Sequence, residues 1–325
     1  MEFNLPSRQK VTTSRGYSYS YIHIPSKEGK PTLLLLHGWP SHIDDWIYQI
    51  KHFKPKGYGL VVPDLLGYGD SSSPSDTNAY RLKPMSQDLS ELLNHVKLLR
   101  VVGIGHDWGA TILSRFAVYH PDQLSGLVFL AVGPPSPGTR FDLDMANELT
   151  KNATGMEMFG YIAYIARDPA AQQMMEKNAE SVMEIMFAAD AKTWDTHFHP
   201  LGGLKKFVEE SRRQEVAHWF PLELRKRHLE TFGREGGYLG PSRYYIMMTE
   251  NLSTPHEEEL RDFKLPHPTI FVTPREPAAA ASVQKQMLSS WAPDLKVTTV
   301  DAGHWVHMQR PEETNQAIDE LLERL

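Results

Sequence analysis

An aspartate stands at position 107 inside the run GIGHDWGA (103–110), where a strand-like stretch, RVVGI at 100–104, passes through glycines into a helix-like stretch at 110–119. Small residues on either side of one polar residue at a strand-to-helix crossing are the layout of a nucleophile elbow. The turn is strained, and a Cβ at 105 or 109 would collide with the backbone of the neighbouring strand or helix. A serine at such a tip attacks an acyl carbon. A carboxylate suits displacement at an sp³ carbon and leaves an alkyl ester on the protein. Asp107 would also serve as an ordinary helix N-cap, and G-x-D-x-G alone does not separate the two readings.

The elements around it supply the context. TLLLL at 32–36 stops at HGWP (37–40), GLVV at 59–62 stops at Pro63-Asp64, and KVTTV at 296–300 leads to Gly303-His304-Trp305. The first two, short apolar runs, read as buried strands, and the third continues the sheet pattern. They alternate with amphipathic stretches: Trp46, Ile50 and Phe53, then Met85, Leu89, Leu92, Leu93 and Val96. A parallel sheet covered by helices on both faces is expected, with polar and glycine-rich loops gathered at the carboxyl ends of its strands, where ligands and catalytic groups collect. The rhythm breaks at GPPSPG (133–138), is helical and Met- and aromatic-rich to about 252, and resumes with PTIFVT at 268–273 and a closing helix at about 313–322. The predicted organisation is a core built from 1–133 and 253–325 with a helical insert at 134–252.

Composition narrows the chemistry. With 325 residues, 41% hydrophobic and 23% charged, the chain is that of a globular protein with a sizeable core. A net charge of -6 without a long basic run argues against nucleic acid. Absence of cysteine excludes a thiol nucleophile and thiolate metal sites, and no spacing of His and carboxylates suggests another metal site. The polar segment 1–10 has no signal-peptide core, no apolar run approaches a membrane span, and Glu323-Arg324-Leu325 does not match the usual peroxisomal tripeptide. A cytoplasmic protein, monomer or homodimer, is expected.

Four segments together, HGWP at 37–40, DLLGYGDS at 64–71, GHDWGA at 105–110 and AGHWVHMQRPEE at 302–313, with the insert between, resemble the α/β-hydrolase-fold epoxide hydrolases. The resemblance covers nearly the whole length. It implies an α/β-hydrolase fold, a mostly parallel sheet flanked by helices, with the insert as a cap domain. Asp107 would be the nucleophile and His304 the base that activates water against the ester. The backbone N–H groups of Trp39 and Trp108 would form the oxyanion hole. Two cap tyrosines would bind and protonate the epoxide oxygen; FGYIAY at 159–164 favours Tyr161 and SRYY at 242–245 favours Tyr245. Tyr164 and Tyr244 are expected to be packing residues, as are His106 and His307, although His106, adjoining the nucleophile, is also carried as a substrate-pocket candidate with Trp39 and Trp108. The acidic run Glu257-Glu258-Glu259 reads as a solvated face, as does Lys205-Lys206. No cofactor is implied; the partners are a small apolar epoxide and water.

One departure stands out. The family's third catalytic member is an acid on the loop after the strand at 268–273, and its ungapped position falls on Pro277; the nearest carboxylate is Glu276, one residue early. Either Glu276 turns inward to hold His304, or the acid is missing. Two other activities remain open: a haloalkane or haloacid dehalogenase with the same Asp and His, and a catalytically weakened binding relative.

Overall fold

In the computed structural model, which describes residues 5–260, 262–276 and 278–325, the chain divides into two compact units. Met1–Ser72, Leu82–Thr139 and Thr254–Leu325 form one, and Ser73–Arg81 with Arg140–Ser253 the other. The first unit holds a single sheet of strands β1 (Gln9–Thr12), β2 (Ser18–Ile24), β3 (Thr32–Leu36), β4 (Gly59–Pro63), β5 (Val101–His106), β6 (Leu124–Leu130), β7 (Thr269–Pro274) and β8 (Leu295–Val300). Their order is β1-β2-β4-β3-β5-β6-β7-β8. β2 runs antiparallel to both β1 and β4, and the six strands from β4 to β8 are parallel neighbours. The mostly parallel sheet is the one expected from the alternation of apolar runs, and its order is that of the α/β-hydrolase fold implied by the resemblance.

Helices α1 (Ile47–Phe53), α2 (Leu82–His95) and α3 (Trp108–Tyr119) belong to the first unit. The second unit is helical: α4 (Leu143–Thr154), α5 (Gly160–Arg167), α6 (Ala171–Lys177), α7 (Ala179–Met186), α8 (Lys192–His197), α9 (Gly203–Glu209), α10 (Leu222–Phe232) and α11 (Leu239–Thr249). It also takes in Ser73–Arg81, which the sequence pattern assigned to the core. The chain then returns through α12 (Ala278–Ser289), α13 (Val306–Gln309) and α14 (Pro311–Arg324). Among the described residues no helix is long and apolar enough to cross a membrane.

The apolar runs are continuous because both faces of the central strands are covered. All five residues of β3 are buried. Leu33 and Leu35 join Trp46, Phe53, Ile104, Val128, Ile318 and Leu321 in one cluster, while alternate residues point to the opposite face, where a Cβ on Gly103 of β5 would stand 2.4 Å from Leu113 of α3. β1 and β2 escape the sequence pattern: QKVT is too short and too exposed, and SYSYIHI mixes polar and apolar residues that are mostly buried together. Since Leu35 is fully buried at the centre of the sheet, Leu35→Ala is predicted to lower unfolding stability in urea by about 2–5 kcal/mol; a loss below about 1 kcal/mol would contradict this placement of the core.

Candidate active site

Asp107 sits between β5 and α3 with φ 54° and ψ -120°, a conformation that non-glycine residues rarely adopt and that stores roughly 1–3 kcal/mol. Its side chain makes no N-cap bond to the helix. The carboxylate instead accepts the Trp39 N–H at Oδ1 (2.8 Å) and is also hydrogen-bonded by the Trp108 N–H. Crowding explains the glycines. A Cβ on Gly109 would lie 2.0 Å from the Leu36 carbonyl oxygen, one on Gly105 2.5 Å from the Gly109 carbonyl oxygen, and one on Gly38 2.3 Å from the Asp107 Cβ. Burial pushes the Asp107 carboxyl up from its ordinary value, and the neighbouring His106 and the two amides pull it back.

The loop that presents the Trp39 amide follows β3 and has a cis Trp39-Pro40 peptide. It is tied to the end of β4 from both sides. His37 donates through Nδ1 to the Gly38 carbonyl (3.0 Å) and accepts the Leu65 N–H at Nε2 (3.0 Å). Asp64 accepts the Ile43 N–H (3.2 Å) and faces Arg8 (3.4 Å). Burial pushes Asp64 up to about 6 and His37 down to about 4. Both residues lay within the motifs noted above, yet neither was singled out. Their contribution depends on strand ends meeting across the sheet, which no local spacing reveals.

His304 follows β8, and its Nε2 stands 3.6 Å from Asp107 Oδ2, both side chains being slightly under one-fifth exposed. Behind it lies His106, whose ring centroid is 4.7 Å from that of His304. Its side chain is fully buried, and Nε2–H donates to the His304 carbonyl oxygen (2.9 Å). With its donor spent on the backbone, this ring holds the loop that carries His304. His307 is likewise buried against His106, 4.4 Å between ring centroids. Burial pushes His106 down to about 3 and His307 well below its ordinary range, so both rings are neutral at pH 7. The Trp39 and Trp108 rings are also buried.

Glu276 is exposed, two residues beyond β7, beside an Arg275 whose Nε stands 3.6 Å from Asp301. Pro277, the ungapped position of the acid, lies outside the described residues. In the helical unit, Tyr161 and Tyr245 come together edge to face with ring centroids 5.9 Å apart, and Tyr161 stacks on Phe198 at 4.2 Å. Tyr164 and Tyr244 are buried. Among the described residues no group of three or more His, Cys, Asp or Glu is placed to hold a metal ion.

A family defined by the alpha/beta hydrolase fold matches residues 31–311. The chain belongs to that family. Within it, this α/β-hydrolase-fold protein is similar to proteins named as epoxide hydrolases. It is 26% identical over 308 residues to bifunctional epoxide hydrolase 2 of Sus scrofa, covering 93% of this chain and 53% of that protein. Over 301 residues it is 26% identical to epoxide hydrolase A of Mycobacterium tuberculosis, covering 90% and 91%. The chain thus spans about half the length of the mammalian bifunctional relatives and most of the bacterial one. The crystal structure of epoxide hydrolase A from Mycobacterium thermoresistibile superposes with a TM-score of 0.83 at 25% identity, covering 98% of each chain.

The buried neutral histidines carry a pH signature. The unfolded chain protonates each ring near 6.5, whereas folded His106 stays neutral to about 3. The unfolded state therefore binds more protons between these values, and the His106 contribution to stability is complete above pH 6.5 and lost as pH falls. His106→Gln, which keeps a donor for the His304 carbonyl, is predicted to remove up to about 1.4 kcal/mol per pH unit from the slope of stability between pH 6 and 4. Equal slopes in urea titrations of the two proteins would contradict a neutral His106.

Proposed function

We propose that this protein hydrolyses epoxides to vicinal diols through a covalent ester on Asp107. The observation that carries the reading is a carboxylate, where a hydrolase elbow could hold serine, gripped by two backbone amides and faced by His304. Names of the relatives point the same way, as does the tyrosine pair in the helical unit.

In the first half-reaction an Asp107 oxygen attacks an epoxide carbon. The ring C–O bond breaks, its electron pair goes to the ring oxygen, and Tyr161 or Tyr245 delivers a proton there. Segment 134–252 acts as the cap that brings these hydroxyls to the epoxide. An alkoxide is a poor leaving group, and a positioned acid of pKa near 10 contributes about 10²–10⁴-fold. In the second half-reaction His304 takes a proton from water and the hydroxide adds to the Asp107 carboxyl carbon. Negative charge collects on the oxygen held by the Trp39 and Trp108 amides. Collapse expels the diol oxygen, which takes a proton from His304; Asp107 releases the proton that the hydroxide brought, and the tyrosinate takes one up, both through solvent.

Glu276 is proposed as the acid that holds His304. β7 and β8 are parallel neighbours, paired at Pro274 and Val300, so the loop with Glu276 and the loop with His304 leave the sheet side by side. An exposed carboxylate orients less firmly than a buried one, so its effect lies below the ~10⁴ of a buried orienting acid.

The test is turnover of styrene oxide beside 1-bromobutane, resolved into ester formation and ester hydrolysis. The parent protein is expected to yield diol and no halide. Replacing both Tyr161 and Tyr245 by Phe should slow ester formation about 10²–10⁴-fold, whereas Glu276→Gln should leave ester formation intact and slow hydrolysis at least tenfold. Halide release without diol would replace the reading with a dehalogenase; an unchanged hydrolysis rate would remove Glu276.

A further inference from the structure

The run GPPSPG leads from the first unit into the second, and its three prolines leave it short of backbone donors and rich in carbonyls that a helix or sheet cannot satisfy. The structure satisfies its backbone one group after another. The Gly133 N–H donates to Gln284 Oε1 (2.7 Å), and Trp291 Nε1–H donates to the Pro134 carbonyl (3.2 Å). Arg115 donates to the carbonyls of Pro135 (2.7 Å) and Ser136 (3.4 Å), and the Gly138 N–H donates to Glu257 Oε2 (2.9 Å). Glu257 belongs to the segment that returns from the second unit, which begins at Thr254.

Arg115 and Glu257 close this arrangement on each other. Nε and Nη2 of Arg115 reach Oε1 and Oε2 of Glu257 at 2.9 and 3.0 Å, and Nη1 also donates to Ser114 Oγ at 3.0 Å. All five guanidinium donors are thereby used, and both residues are 3% exposed. The expected solvated face at Glu257 is therefore wrong: a cation 142 positions away in sequence draws this carboxylate inside. Tyr119, one turn further along α3, donates to the His256 carbonyl (3.2 Å).

Helix α3 begins directly after Asp107, and Arg115 lies eight residues on, about 12 Å along the axis. The helix that carries the nucleophile at its start thus carries, two turns later, the group that grips both the outgoing and the returning chain. We propose that Arg115 and Glu257 are positioning residues: a clamp that references both roots of the helical segment 140–253 to the nucleophile's own helix, and so sets where the segment bearing Tyr161 and Tyr245 is delivered. The proposal rests on the reading that these tyrosines protonate an epoxide opened by Asp107. Pairing geometry rather than burial alone matters, because only a planar fork can hold a carboxylate and two carbonyls at once.

The experiment compares the full-length parent with Glu257→Gln, Arg115→Lys and the double variant Arg115→Met with Glu257→Met, which replaces the buried pair by apolar groups without leaving a lone charge. Pre-steady-state reaction with styrene oxide reads ester formation and hydrolysis separately, per folded active site. A clamp predicts that ester formation slows at least tenfold in all three, including a double variant that melts no lower than the parent, while hydrolysis of the ester, which uses His304 and the amides of the first unit, changes less than threefold. Ester formation within twofold of the parent in the folded double variant overturns the proposal and leaves the pair a stability element. Hydrogen exchange without substrate keeps the two readings apart. Faster exchange by at least tenfold in 133–140 and 253–257 of the variants supports the clamp even if the parent forms no ester, and unchanged exchange there overturns it.

Discussion

The grip of two backbone amides on the Asp107 carboxylate is the constraint from which the rest of the site follows. Asp107 must hold φ 54° for its side chain to meet the Trp39 and Trp108 N–H groups. That geometry presses the elbow against the ends of β3 and β5 so closely that positions 38, 105 and 109 admit no side chain. The strain is held by the surrounding strands: the loop bearing Trp39 is bolted to the end of β4 through His37 and Asp64. A donor pair fixed before reaction needs no reorganisation as charge arrives, which is why backbone amides on a rigid sheet edge suit an oxyanion.

Around this grip the interior is kept free of competing positive charge. His37, His106 and His307 are buried and driven low, chiefly by desolvation. A protonated ring there would pair with Asp107 and blunt it as a nucleophile. His304, whose side chain is partly exposed, is left as the ring that faces the carboxylate. His106 links the two sides of the site mechanically, sitting next to Asp107 in the chain and donating to the carbonyl of His304.

How much of this was legible depended on whether the physics was local. The strands β3 to β7 were readable because double-sided burial writes a nearly unbroken apolar run, and the elbow because crowding leaves its mark as glycine on both sides of Asp107. β1, only four residues and largely exposed, writes no such pattern. Fates set by distant partners could not be read. Glu257 looks like one of three surface glutamates until Arg115 is brought to it by the fold, and no local spacing sets the His304 carbonyl against the His106 ring nitrogen, 198 positions away. The Tyr161 and Tyr245 rings, 84 positions apart in the chain, meet through the packing of α5 against α11, and only the resemblance to a known family singled them out beforehand.

The central claim is that Asp107, not water, makes the first bond to the substrate. A single turnover in ¹⁸O-enriched water, with enzyme in excess over styrene oxide, tests it directly. The account predicts that the label enters the carboxyl group of Asp107, found by mass spectrometry of the peptide that contains it, while the diol from that first turnover is unlabelled. A labelled diol with unlabelled Asp107 would mean direct attack by water and would contradict it.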